Sequence, residues 1–537
     1  MQVKGKKYQM EKIPNGKNGK ASTIIKNIIL VFATITFIAV LILNFIYNAN
    51  TDKLSAVEIE YVKIINLIIS IFIAITILIA SHYLNKIKFS KIAKTAIIVT
   101  LIFIYVIVQI RWSNTTIGRP SGDQQIIYNM AKSYIEGNNE NLYKSEYLAK
   151  NPQQRSLLVM YILIMKVVNS TDYVWLYLAN ILANVLSIFA LYLILKKLSE
   201  KHSVNKALFA ILTLTFIPMI LLCNFIYGDI IGLAFILFSV YFIIEYAKKN
   251  KKIFGIISAI LASIAMMFRM NYIIFVIAMV IYIILNFKKE NIFKQIIHII
   301  IFIAIILIPY KLVGAYVAEK LDLDKQATIP TSSYLYMSLY DGERGAGWYS
   351  QEAMKVAQTD VKNAKNYYPP ILKERVKYLV THPSEGFRFY KNKIVSMWTD
   401  NAFQCIFYNL PVHLDGMPKE LYDSAINENE FYSNYFVEKG SKQIKIYMKG
   451  IVLLVFSLSL VNLLKYKKEL SNEAILMITI FLGGFFFHVL WEAKSRYVIP
   501  YFVVLIPIAC ISLNKEISDF SIIKRIKNIF RKKEKVK

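Results

Sequence analysis

The sequence predicts an all-α polytopic integral membrane protein, a helical bundle with about 12 transmembrane helices plus interfacial helices in the outer loops. Three observations lead there. Of 537 residues, 56% are hydrophobic, and many lie in runs of roughly 17–22 residues, the length of a helix that crosses a bilayer core. These runs are continuously apolar rather than alternating, which argues against a transmembrane β-barrel. Basic residues cluster in short loops and tails beside the runs, as the positive-inside rule requires.

The elements follow in order. Residues 1–23 form a basic tail, expected to be cytoplasmic. The N-terminal membrane domain, 24–313, opens with spans near 24–47 and 63–84; the first is too long for a signal-peptide core and reads as a retained helix. Span three, 95–112, leads into a polar first outer loop, 113–173. Within that loop, SLLVMYILIMKVVN is short for a crossing and reads as an interfacial or partly inserted helix. Spans near 174–195, 207–226, 230–247, 253–268, 272–287 and 294–313 come next. The region 314–445 reads as an extracytoplasmic cap: Asn366-Tyr367-Tyr368-Pro369-Pro370 as a turn, then two helices broken at His382-Pro383. The C-terminal membrane helices, 446–513, hold three spans (446–464, 474–491, 498–513). Residues 514–537 form a basic cytoplasmic tail that either lies on anionic headgroups or serves as a solvated stop-transfer segment. Under this count every lysine-rich short loop falls on one side.

Lys and Arg number 64 against 35 Asp and Glu, a net charge of +29. In a soluble chain that would suggest nucleic acid, but here the charge flanks spans and no nucleic-acid-binding motif accompanies it. The three cysteines, Cys223, Cys405 and Cys510, have no metal-ligand spacing and read as packing residues. The histidines His298, His382 and His488 read as structural, and HExxH, Walker-A and G-x-S-x-G patterns are absent.

The topology gathers four polar motifs at the outer interface: Arg119 to Gln125, Tyr227-Gly228-Asp229, Arg269-Met270-Asn271, and Glu492 to Tyr497. Interface anchoring accounts for any one of them; four on one face point to a site. Asp123 stands where a turn meets a helix start, suiting it either to cap the helix or to act as a general base for a hydroxyl nucleophile. Arg496 offers a fork of donors matched to phosphate oxygens, and Lys494 adds a point charge.

In order and sidedness these motifs resemble the GT-C superfamily of membrane glycosyltransferases, especially bacterial family-39-like and protein-mannosyltransferase-like members. The matching features are an acidic residue in the first long outer loop (Asp123), the Tyr-Gly-Asp turn, the Arg-x-Asn at a span end, and Glu-x-x-x-Arg-Tyr before the last span. Gly345-Ala346-Gly347-Trp348-Tyr349, Phe389-Tyr390-Lys391-Asn392-Lys393 and Trp398 also look like outer-loop sequence of Gram-positive members. The resemblance implies an inverting hexosyltransferase-like enzyme in a bacterial cell membrane, with its active site on the extracytoplasmic side. The donor would be a polyprenyl-phosphate-linked sugar, and the acceptor a cell-wall polysaccharide, teichoic acid or glycolipid. On this reading Asp123 is catalytic, and Arg119, Asp229, Arg269, Asn271, Glu492, Lys494, Arg496 and Tyr497 bind substrate. No metal ligands and no cofactor are assigned. A divalent metal is left open, since Asp123 is followed by Gln124 where family members often carry Asp-Glu. The rival readings are a transporter or flippase of a lipid-linked sugar, which would place ionisable or helix-breaking residues at mid-membrane, and a non-catalytic scaffold.

Overall fold

A computed structural model describes residues 20–52, 56–115, 120, 122–286, 292–409, 436, 439–467 and 469–511. The basic C-terminal tail and Arg119 lie outside the described residues. Helices follow the apolar runs in order: α1 (Lys20–Ile46), α2 (Ile64–Lys86), α3 (Lys91–Thr115), α4 (Asp123–Ile135), α5 (Glu146–Lys150), α6 (Arg155–Val168), α7 (Val174–Leu198), α8 (Lys206–Leu214), α9 (Ile217–Leu221), α10 (Asp229–Lys249), α11 (Lys252–Phe268), α12 (Ile273–Leu285) and α13 (Ile292–Lys320). The next region carries α14 (Thr331–Leu339), α15 (Gln351–Thr359), α16 (Val361–Thr381) and α17 (Pro383–Trp398). The chain closes with α18 (Ser441–Tyr466), α19 (Asn472–Leu490), α20 (Ile499–Val503) and α21 (Ile506–Ala509). Two short antiparallel hairpins interrupt the helices: β1 (Tyr47–Asn50) with β2 (Glu58–Tyr61), and β3 (Asp341–Gly342) with β4 (Gly345–Ala346).

Eight described helices are long and apolar enough to cross a membrane, or nine if α8 and the segment Ile217–Asn224, bent by 41°, count as one span. The expected number of about 12 is therefore not met by full-length helices. The predicted seventh and eighth spans are shorter helices, and the twelfth is broken into α20 and α21. Pro500 and Pro507 stand in the first turns of those two helices, where a missing N–H costs least and the preceding helix must stop.

Breaks in an apolar bundle leave backbone groups that lipid cannot satisfy. Buried asparagines satisfy them here. Asn462 donates to the carbonyls of Ile508 (2.9 Å) and Ile511 (3.0 Å) below α21. Asn180 donates to Cys223 (2.9 Å) and Phe225 (3.0 Å), and Asn184 to Met219 (2.7 Å), along the bent fifth span. These residues make irregular backbone tolerable inside the bundle.

Helix α10 packs on α7 and α11, α2 on α18, and α12 on α19, with α1 against α18 and α19. An aromatic cluster fills the centre: Phe37, Phe456 and Phe481 surround Trp398, with Trp398 and Phe481 centroids 5.4 Å apart. Trp398 ends α17, so the region expected as a cap sends its chain down among the spans, and Ala402, Cys405 and Ile406 are fully buried. The break at His382-Pro383 appears as expected, with His382 ending α16. The expected turn at Asn366–Pro370 does not, because α16 runs through both prolines. Tertiary contacts outweigh the lost bonds: the Tyr368 hydroxyl donates to Ala353 O (2.8 Å) and accepts from Ala357 N (3.2 Å).

Close packing of α19 on α20 rests on Gly484, where an added Cβ would collide with the Tyr501 ring. Gly484→Ala is expected to destabilise the purified protein by about 1–3 kcal/mol through overpacking. Gly314, whose Cβ direction is open, provides the control: Gly314→Ala should leave the melting temperature unchanged or slightly raised. Thermal melts in detergent compare the two.

Candidate active site

The site assembles where α10 and α4 begin and where α11 and α19 end. Gly228 makes the turn into α10 with φ of +79°, and a Cβ there would sit 2.5 Å from Phe268 O, so only glycine lets Asp229 approach the end of α11. Asp229 then receives two guanidinium groups. Arg496 Nη1 donates to its Oδ2 at 2.7 Å, and Arg269 Nε lies 3.4 Å from its Oδ1. The Arg496 side chain is only 3% exposed. Burial opposes its charge, but Asp229 more than offsets that and holds the guanidinium above its ordinary pKa.

Aromatic faces wall the two arginines. Arg496 lies 4.0 Å from the Phe225 ring centroid and 5.1 Å from those of Tyr408 and Tyr497, and Arg269 lies 4.6 Å from the Tyr227 ring. Cation–π attraction of this kind strengthens once water is excluded. Lys494 pairs with Glu492 at 3.3 Å, and the Tyr497 hydroxyl donates to the same carboxylate at 3.3 Å. Burial works against the Lys494 charge, but Glu492 prevails and keeps the ammonium above its usual range.

Asp123 is the first residue of α4, while Gly122 occupies the cap position, so the Asp123 carboxylate is not the helix cap. It is solvent-exposed and accepts a 2.9 Å hydrogen bond from the Tyr227 hydroxyl, which in turn accepts from Gln154 Nε2 (2.5 Å). Tyr227 thus links Asp123 to the arginine cluster through its hydroxyl at one end and its ring face at the other. Gln124, next along, accepts from Ile226 N at 3.0 Å and pins the two segments together.

Of the residues read from the sequence, Asp123, Asp229, Arg269, Glu492, Lys494, Arg496 and Tyr497 are joined through these contacts. Asn271 sits half-buried in the turn after α11 and is not joined to the cluster by any of these contacts. Sequence reasoning missed Gln154, Tyr408 and two further residues. Asp400, 1% exposed, accepts from Thr51 Oγ1 (2.6 Å), Ser495 Oγ (2.5 Å) and Gln404 N (2.9 Å), which fixes the turn carrying Arg496. Lys393, fully buried on α17, donates to Ser338 O at 2.6 Å beside Gly347. Nothing local in the sequence marks Asp400, and Lys393 stands in the Phe389–Lys393 stretch of the resemblance without an assigned role, since both depend on contacts between distant segments. His488 is buried under the site, its Nδ1 3.1 Å from Glu492 O and its ring against Tyr497 and Tyr501. Among the described residues no group of three or more His, Cys, Asp or Glu is placed to hold a metal ion.

Residues 156–312 match the family model for dolichyl-phosphate-mannose-protein mannosyltransferase, within the GT-C superfamily. The matched segment contains Asp229, Arg269 and Asn271; Asp123 precedes it and Arg496 follows it. A search of curated proteins finds no match. The match covers less than a third of the chain and is a likeness to membrane glycosyltransferases over its central helices.

Burial pushes the Lys393 amine down to about 7, with the Glu492 charge opposing the shift. Between that value and the ordinary lysine value the unfolded chain binds a proton that the folded chain does not, so stability increases with pH in this window. Thermal melts should show the wild type gaining on Lys393→Met as pH rises from about 7 towards 10.5. A flat difference would mean that the amine stays protonated in the fold.

Proposed function

We propose that the protein is an inverting glycosyltransferase that moves a sugar from a polyprenyl-phosphate carrier to an acceptor hydroxyl on the extracytoplasmic face of a bacterial membrane. The acceptor is a cell-wall polysaccharide, teichoic acid or glycolipid. The observation that carries this reading is the bridge through Tyr227, which places an exposed carboxylate, Asp123, beside a buried cationic cluster.

The chemistry divides between the two ends of that bridge. At the exposed end Asp123 takes the proton from the acceptor hydroxyl as its oxygen attacks the anomeric carbon. The bond from that carbon to the phosphate oxygen breaks, its electron pair leaves with the phosphate, and the configuration inverts in one displacement. The developing charge on the phosphate is met by Arg496 and Lys494, with Arg269 assisting, where burial of the Arg496 guanidinium strengthens the attraction. Asp229 and Glu492 keep these cations fixed and orient sugar hydroxyls. Asn271 completes the assignment as a substrate-binding group, and Arg119 is assigned to substrate binding from the sequence alone.

Charge placement favours this reading over transport of a lipid-linked sugar. The ionisable clusters sit at the ends of the long helices: Asp229, Arg269 and Arg496 at one end, and Lys197, Glu200, Glu245, Lys248 and Glu473 at the other. A transporter would be expected to hold such groups near the midplane.

Transfer from a radiolabelled polyprenyl-phosphate sugar by the purified protein tests the proposal. Asp123→Asn should lower the turnover rate by about 10²–10⁴-fold, the usual worth of a positioned base, while donor binding persists. Full activity in that variant would remove Asp123 from the base role.

A further inference from the structure

Arg344 stands at the turn of the β3–β4 hairpin, after Asp341 and Glu343. Its guanidinium is held between the rings of Trp348 (5.0 Å) and Phe407 (4.8 Å). Its Nε and Nη2 are buried and find no acceptor among the described residues. Burial lowers the pKa of this group, and the nearby Tyr408 and Glu492 oppose the shift. A buried guanidinium with two idle donors is expensive, and proteins retain one where a ligand completes it.

The neighbourhood shows what such a ligand must be. Arg496 uses Nη1 on Asp229, while its own buried Nε also lacks an acceptor among the described residues. Arg496 lies over the Tyr408 ring, and Arg344 lies over the ring of the adjacent Phe407. The Phe407 and Tyr408 rings that carry Arg344 and Arg496 lie 5.0 Å apart, and although burial alone would raise the pKa of the Tyr408 phenol, the charges of Arg496, Lys494 and Arg344 outweigh it and lower the pKa. The carboxylates nearby are already engaged: Asp229 with Arg269 and Arg496, Glu492 with Lys494. What fits is a further anion with several acceptor oxygens.

The hairpin is also fastened to the site. Ala493 N donates to Gly347 O (2.7 Å), and Val57 N donates to Arg344 O (2.8 Å), so Arg344 is held on a rigid turn against the Glu492–Arg496 segment.

We propose that Arg344 is a phosphate-binding residue which, with the free Nε of Arg496, grips the non-bridging oxygens of the lipid phosphate beside Tyr408. This rests on the glycosyltransferase reading and adds to it a ligand from a separate segment of the chain.

Binding of farnesyl phosphate, a short polyprenyl phosphate, to the full-length protein in detergent provides the test, with farnesol and inorganic phosphate as parallel probes. Arg344→Gln should weaken farnesyl phosphate binding by roughly 10- to 100-fold, the worth of a charged hydrogen bond. Its melting temperature without ligand should be unchanged or higher, because a costly buried charge has gone. Arg344→Lys, which keeps the charge but loses the planar fork, should also bind more weakly without loss of stability. Farnesyl phosphate should bind more tightly than inorganic phosphate, and equal affinities would overturn the lipid as the source of the anion. Unchanged affinity in Arg344→Gln, or a lower melting temperature with unchanged affinity, overturns the role of Arg344 and leaves the wider reading standing. Wild-type protein that binds farnesol as tightly as farnesyl phosphate overturns the phosphate reading itself.

Discussion

The carboxylate of Asp229, shared between Arg269 and Arg496, is the interaction on which the rest of the site depends. Each guanidinium is buried against aromatic rings, and neither could remain charged there alone at tolerable cost. One carboxylate at a helix start meets both. It sits at the N-terminal end of α10, where the helix dipole favours a negative charge, and Gly228 allows the close approach. Three segments distant in sequence, α10, the end of α11 and the turn after α19, are thereby tied at one point. Tyr227, next to Gly228, extends the tie to Asp123.

The same helix explains the spacing of charge in the molecule. Asp229 begins α10 and Glu245 lies near its end, bonded to Lys197 and to Lys249 (2.5 Å). At 1.5 Å per residue the two belts stand about 24 Å apart, somewhat less than the thickness of a typical hydrocarbon core. Between them the polar residues that remain are mainly amides and hydroxyls occupied with backbone groups, as Asn180, Asn184 and Asn462 are. The bundle thus keeps irregular backbone where breaks occur without placing charge in its centre.

Much of this was legible in the sequence because it follows from local rules. Apolar length located the helices, and flanking charge grouped Asp123, Asp229, Arg269 and Arg496 on one face. Where reading failed, tertiary contacts had overridden local preference. Helix α16 continues through Pro369 and Pro370 because Tyr368 is anchored to α15, and the twelfth predicted span breaks because its prolines coincide with helix starts. Lys393, Asp400 and Tyr408 could not be singled out, since each acquires its role from partners tens to hundreds of residues away. Asp123 stands at a helix start as the sequence led one to expect, but whether it capped the helix became clear only when Gly122 was found in the cap position.

Asp400 has a consequence for the first two helices. Thr51, in the loop between α1 and α2, bonds the same Asp400 oxygen that receives Ser495, one residue before Arg496. The leading helical hairpin reaches the candidate site through Val57, whose N–H bonds Arg344 O, and through this Thr51 hydroxyl, which braces the stretch of chain that carries Arg496. An insertion in that loop would therefore transmit its strain to the arginine, so the hairpin serves the candidate site as a splint serves a joint.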